Sequence, residues 1–296
     1  MYQAITPRLF VQLTALGEFS RFGLSTVVGI STAVGYVVGT SSGAAVDWQR
    51  WLTTVCGVFV LAAGASALNQ VQERRIDAEM TRTARRPLPS ARVSIAAGSF
   101  FVLSGLSFGL ALLSLLGGHA LVLGVASVVL YNGFYTMWWK RSYRYATILG
   151  AIPGALPILI GHAVAAGEVL TKGGVYLFLL LFTWQMPHFW ALALRYKDDY
   201  AGAGLPMLPV VIGIRGTLNH IRIWSSVLVV IVLLGPFVIE LGRPYLVLSF
   251  VSMSRLVLGL FHFSRGPEER AGTYFHRINE ALILVFAALV LDRLMT

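Results

Sequence analysis

NQVQERRIDAEMTRTARRPLP, residues 69–89, is dense in charge within a chain that is otherwise overwhelmingly apolar. Asn69, Glu73 and Asp77 stand at i, i+4 and i+8, positions that fall within about 80° of one another on a helix. Three oxygen-bearing side chains then share one face. Arg82, Arg85 and Arg86 follow, and Pro87 and Pro89 end the run. Carboxylates and an amide suit a hard cation such as Mg²⁺, and guanidinium groups suit phosphate. The stretch therefore predicts a magnesium-held diphosphate at a membrane surface.

The surrounding composition supplies the membrane. Of 296 residues, 56% are hydrophobic and 12% charged, and the mean hydropathy is +0.74. Such values exclude an ordinary soluble domain and indicate a polytopic helical membrane protein. The single cysteine, Cys56, permits no intramolecular disulfide, CxxC redox pair or CxxCH haem attachment. The first twenty residues carry one basic group, Arg8, which argues against an organellar transit peptide and for a bacterial inner membrane.

Working outward from residue 69, apolar stretches of spanning length fall at about 21–40, 50–68, 93–116, 120–138, 146–166, 174–194, 221–240, 244–263 and 276–294. The expected fold is an all-α, single-domain (1–296) bundle of nine transmembrane helices. With a cytoplasmic N-terminus, 18 of the 23 Lys and Arg residues lie in inside segments and four outside, with Arg255 within a span. That bias follows the positive-inside rule. Orientation thus accounts for the net charge of +10, and nucleic-acid binding loses its main support. Glycines inside the spans, such as Gly29, Gly35, Gly105 and Gly109, read as sites of close helix packing.

Two inside connections, 69–92 and 195–222, are unusually long and suggest binding segments. They follow the second and sixth spans, a spacing that suggests two four-helix halves and a final helix. The second reads RYKDDYAGAGLPMLPVV from Arg195, with Tyr196, Lys197, Asp198 and Asp199 before glycines and prolines that stop helix formation. One such loop alone would read as a solvated surface. Two acidic, proline-terminated loops at the same face favour a site. Within the sixth span, TWQMPHFWALAL (183–194) offers Trp184, Phe189 and Trp190 beside Pro187 and His188. The aromatics suit an interfacial belt or a shield for an isoprenoid chain, and an ionisable group within a span is a functional candidate. His162 is the other intraspan histidine, and no helix carries two at a haem-bracketing spacing.

These motifs, with the nine-span pattern, resemble the UbiA superfamily of intramembrane prenyltransferases. The resemblance runs from the second span through the loop after the sixth. The superfamily's N-x-x-x-D-x-x-x-D motif is met by Asn69, Glu73 and Asp77, with glutamate replacing the first aspartate. Its D-x-x-x-D form is absent, because Asp198 is followed at i+4 by Gly202. The KDDY…AGxPMLP and PHFWALAL runs are instead similar to the branch that farnesylates heme. The Lys-Pro pair expected before the first span is replaced by Glu18-Phe19-Ser20-Arg21.

The resemblance implies farnesyl transfer from farnesyl diphosphate to a vinyl group of heme B, with addition of water. It implies Mg²⁺ on Asn69, Glu73, Asp77, Asp198 and Asp199, the same residues forming the catalytic set. Arg82, Arg86, Lys197 and Tyr196 would hold the diphosphate, and His188 and Trp184 would lie near the porphyrin or prenyl chain. The implied partners are farnesyl diphosphate, heme B and the lipid bilayer; no residue in the sequence supports a contact with heme A synthase. The alternatives are a UbiA-type enzyme acting on an aromatic acid or chlorophyllide, a transporter, and a structural subunit. Transporters bind near the bilayer midplane, whereas the carboxylates here gather at one surface.

Overall fold

The computed structural model describes residues 14–295, and every regular element within them is helical. A short helical segment at 14–19 leads into α1 (Phe22–Gly39), α2 (Trp48–Glu79), α3 (Ile95–Ser114) and α4 (Gly118–Ser142). The second group comprises α5 (Ala146–Ala166), α6 (Lys172–Arg195), α7 (Lys197–Gly202) and α8 (Leu208–Val211). The chain ends in α9 (Gly213–Val238), α10 (Arg243–Phe263) and α11 (Pro267–Met295). Among the described residues, eight helices are long and apolar enough to cross a membrane: α1 to α6, α9 and α10. The expected ninth corresponds to α11, which has 29 residues. Its apolar run is confined to 281–291, with Arg277 and Glu280 before it and Asp292 and Arg293 after it, so it is a long helix of mixed character.

The expected loop over 69–92 needs correction. α2 is 32 residues long and carries its helix through Asn69 and Asp77 to Glu79. The polar residues do not end it, because their side chains are paired with other elements while the backbone stays helical. The 195–222 connection is likewise part helix, with α7, α8 and the start of α9 inside it.

α1, α5 and α6 form the interior of the bundle, and α3, α4, α9 and α10 present mostly exposed apolar flanks such as Phe100, Val122, Phe237 and Phe250. α1 crosses α5 at backbone contact. A Cβ added to Gly35 would lie 2.0 Å from the Ile158 carbonyl oxygen, and one added to Gly161 would lie 2.0 Å from that of Thr32. Only hydrogen fits at either position. Gly64, Gly105 and Gly109 make the same kind of seam between α2 and α3, whereas a Cβ on Gly29 would meet nothing nearer than 3.7 Å.

Contacts sort the two ends of the bundle. At one end Arg50 reaches the Val164 carbonyl and Arg293 reaches Ser42 and the Val38 carbonyl. At the other, Arg21, Lys140 and both long connections come together. Met80 packs there with Leu205 and Met207, flanked by Ile76 and Tyr200. This apolar contact fastens the segment after α2 to the segment after α6, which fixes the geometry of the site.

Candidate active site

Asn69, Glu73 and Asp77 are 2%, 3% and 3% exposed. Their shared helical face is turned inward, against the normal preference of carboxylates for water, so each needs a partner. α4 supplies two of them. Asn132 Nδ2 donates to the Ala65 carbonyl at 2.9 Å, Asn69 Nδ2 donates to Thr136 Oγ1 at 3.1 Å, and Lys140 Nζ donates to both Glu73 oxygens at 2.7 and 2.9 Å. Each pair is separated by 67 residues, so α2 and α4 run parallel in register as a polar ladder. The α4 side is π-helical over Val129–Trp139, a local form that often marks functional positions. It keeps Asn132, Thr136 and Lys140 on the α2 side at four-residue spacing.

The remaining partners come from other segments. Arg21 Nη2 donates to Asn69 Oδ1 at 2.8 Å. Its backbone is left-handed, with φ 47° and ψ 53°, where the chain turns into α1. Arg86 Nη1 donates to both Asp77 oxygens at 2.7 and 2.6 Å, and Thr83 Oγ1 donates to the Asp77 carbonyl at 2.9 Å. Burial lowers the pKa of the Arg86 guanidinium from its ordinary range, with nearby Arg21 adding to the shift and Asp77 opposing it. Tyr131, on α4, sits beside Arg21 and Glu73. Tyr200 lies near Arg82, Glu73 and Arg86, and burial raises its phenol.

The two charged segments meet above this face. The Arg82 guanidinium lies 5.1 Å from the Tyr196 ring centroid, with Arg195 5.5 Å from the same ring. The Arg82 backbone N–H donates to Asp199 Oδ2 at 3.4 Å. Lys197 is partly exposed and Asp198 is exposed on α7. Arg85 points outward, and its carbonyl accepts from Arg92.

Not every expected residue joins the cluster. His188 Nδ1 donates to Asn279 Oδ1 at 2.8 Å, and its ring lies tilted between Trp184 and Phe275, with centroids 4.4 and 4.5 Å away. Trp184 Nε1 donates to the Ile278 carbonyl at 3.0 Å. These contacts run along the α6–α11 seam, not to the Asn69–Asp77 face. Conversely, Arg21, Lys140, Tyr131 and Tyr200 belong to the cluster and were not singled out from the sequence. Lys140 had a readable signal, since Asn132, Thr136 and Lys140 repeat the four-residue spacing of Asn69, Glu73 and Asp77.

The donor chemistry fits a magnesium diphosphate. Among the described residues, no group of three or more His, Cys, Asp or Glu side chains is gathered as a ready metal cage. Mg²⁺ does not require one, since it commonly takes one or two carboxylates and fills its remaining positions with water and substrate phosphates. Glu73 and Asp77 supply the carboxylates, and Arg21, Arg82, Arg86 and Lys140 supply positive charge beside them. In this structure Lys140 and Arg86 are the direct counterions of the two carboxylates.

A buried, cation-flanked pair of carboxylates at one end of an apolar helical bundle can take a metal-bound diphosphate at the membrane surface. The UbiA prenyltransferase family profile matches residues 28–286, and the chain belongs to that family as an integral membrane enzyme. A Bdellovibrio bacteriovorus relative, a protoheme IX farnesyltransferase, is 36% identical over 282 residues, covering 95% of this chain and 97% of the relative. The fold is similar to a solved digeranylgeranylglyceryl phosphate synthase, with TM-score 0.77 and 20% identity over 96% of this chain and 99% of that one. It is also similar to a UbiA homologue from Archaeoglobus fulgidus bound to DMAPP and Mg²⁺, with TM-score 0.65 and 15% identity over 93% and 98% of the two chains.

Proposed function

We propose that this prenyltransferase transfers the farnesyl group of farnesyl diphosphate to a vinyl group of heme B, giving the hydroxyethylfarnesyl side chain of heme O. The observation that carries the reading is the inward face of Asn69, Glu73 and Asp77 set against Arg21, Arg86 and Lys140. An allylic diphosphate reacts when its leaving group is neutralised, so the protein supplies cations and needs no nucleophile of its own. The acceptor assignment rests on the name and near full-length coverage of the Bdellovibrio relative.

The reaction balances as follows. The C1–O bond of farnesyl diphosphate breaks and diphosphate leaves with the electron pair. The terminal vinyl carbon of heme B bonds to C1, and the resulting cation at the carbon next to the porphyrin takes hydroxide from water as a proton is released. Mg²⁺, when bound, would neutralise the departing diphosphate. Glu73 and Asp77, with Asn69 beside them, would hold it; Asp198 and Asp199 would close over it from α7, in part through water. Arg82, Arg86, Lys197 and Tyr196, joined by Arg21 and Lys140, would bind the phosphate oxygens. As the ligand binds, Lys140 and Arg86 would exchange a carboxylate for phosphate without leaving the site. Trp184 and His188, bonded to α11, would act there as packing that shapes the apolar path of the farnesyl chain or porphyrin edge rather than as groups on the diphosphate.

The test is diphosphate release by purified protein in lipid nanodiscs, with farnesyl diphosphate, Mg²⁺ and heme B. Release that requires heme B supports the reading. Release that is indifferent to heme B but rises with an aromatic acid would move the acceptor to another class. Prenyl transfer abolished by chelation and restored by Mg²⁺ would support the metal assignment.

A further inference from the structure

Arg255 was left unexplained by the span pattern, and its surroundings are unusual. It sits eight residues inside the Phe263 end of α10, roughly 12 Å along the helix axis. Its guanidinium is paired with Glu280 of α11, with Nε to Oε1 at 3.0 Å, and Arg277 takes the other oxygen at 2.8 Å. All three side chains remain 39–48% exposed on the flank of the bundle. Charged groups at such depth are costly against bare hydrocarbon and normally find a polar partner or water. Here one carboxylate is shared by two guanidinium groups.

A groove of about 500 Å³ opens at this point between α10 and α11. Arg255, Arg270, Arg277 and His262 line it, together with apolar Leu258 and Phe263. Arg270 donates to the His262 carbonyl at 2.8 Å and pairs with no carboxylate among the described residues. Glu280 is the acid bonded to the groove's arginines; Glu268 and Glu269, in the first turn of α11, are not among its walls. The groove is therefore net positive, partly apolar and open to the flank of the bundle.

We infer that this α10–α11 groove is a binding site for an anionic phospholipid, its phosphate held by Arg255, Arg270 and Arg277 and its acyl chain lying along the exposed Leu258. A phosphate can accept from the guanidinium N–H groups not already given to Glu280 or the His262 carbonyl, and an acyl chain offers contact to the apolar wall. The site is separate from the carboxylate ladder and does not depend on the identity of the prenyl acceptor.

The experiment is native mass spectrometry of the full chain released from mixed phosphatidylglycerol and phosphatidylcholine bilayers, comparing wild type with Arg270→Gln and Arg277→Gln. Wild type should retain phosphatidylglycerol in preference to phosphatidylcholine, and that preference should fall roughly fivefold for each arginine removed. Prenyl transfer should persist in both variants, which confirms that they fold. A wild type with no headgroup preference, or variants that retain it unchanged, would overturn the assignment. So would displacement of the bound lipid by stoichiometric iron protoporphyrin, which would make the groove an acceptor site, or by inorganic phosphate at equal concentration, which would leave no role for the acyl chain.

Discussion

Glu73 and Lys140 illustrate how narrow the margin is for a charge buried at an active site. Their side chains are 3% and 17% exposed, so removing one leaves the other poorly hydrated. Lys140→Met should destabilise the protein by about 3 kcal/mol, because the glutamate is stranded. Adding Glu73→Gln should recover much of that loss. Thermal unfolding of the single and double variants in one detergent measures both, and equal losses in the two would show that the pair is not coupled. Function follows a different order. Glu73→Gln and Asp77→Asn preserve shape but remove the charge that would hold the metal, so turnover should fall by about 10²–10³ while the proteins stay folded. Near-normal turnover in either would remove that carboxylate from the proposed metal ligands. The sequence revealed this face through its four-residue spacing, even with Glu73 in place of an aspartate. It hinted at Lys140 only through the matching spacing of Asn132, Thr136 and Lys140 and gave no sign of Arg21, because their relation to the motif is set by where α1 and α4 lie, 48 and 67 residues away.

At the scale of elements, spans were legible because a bilayer fixes their length, whereas their ends were not. α2 continues eleven residues past the apolar run into the charged stretch, since Glu73 and Asp77 are neutralised by other segments rather than by water. α7 and α8 were hidden by glycines and prolines that read as loop, although Met80, Leu205 and Met207 order the region by packing. His188 and Trp184 were selected for chemistry and are engaged in holding α6 to α11. The α1–α5 crossing is the element contact least able to yield. Gly161→Ala would press a methyl against the Thr32 carbonyl, and the helices must part to admit it. A loss of about 1–3 kcal/mol is expected, with reduced activity because α5 also packs along α6. Wild-type melting behaviour in Gly161→Ala would show that the crossing is looser than described.

For the whole molecule, the distribution of Lys and Arg predicts which end faces the cytoplasm. Both long connections share an end with Arg21 and Lys140, so the diphosphate site should open on that side. In a Cys56→Ala background, a cysteine at Ser90 should be labelled by an impermeant maleimide only in inverted vesicles. A cysteine at Gly43, in the turn between α1 and α2 at the opposite end, should be labelled only in intact cells. The reverse pattern would invert the topology. Fold and family were legible from residues 69–89 and 183–211 because a buried acidic face on a membrane helix has few other uses.

The most direct test of the central claim is the heme content of a bacterium lacking its own heme O synthase and expressing this chain or its Asp77→Ala variant. Extracted hemes would be separated by reversed-phase chromatography with mass detection. Wild type should yield a more hydrophobic heme with the mass of heme B plus a farnesyl group and a hydroxyl, and Asp77→Ala should yield heme B alone at equal protein level. Heme B alone from well-folded wild-type protein would contradict the heme acceptor. The new heme from both would contradict the carboxylate site.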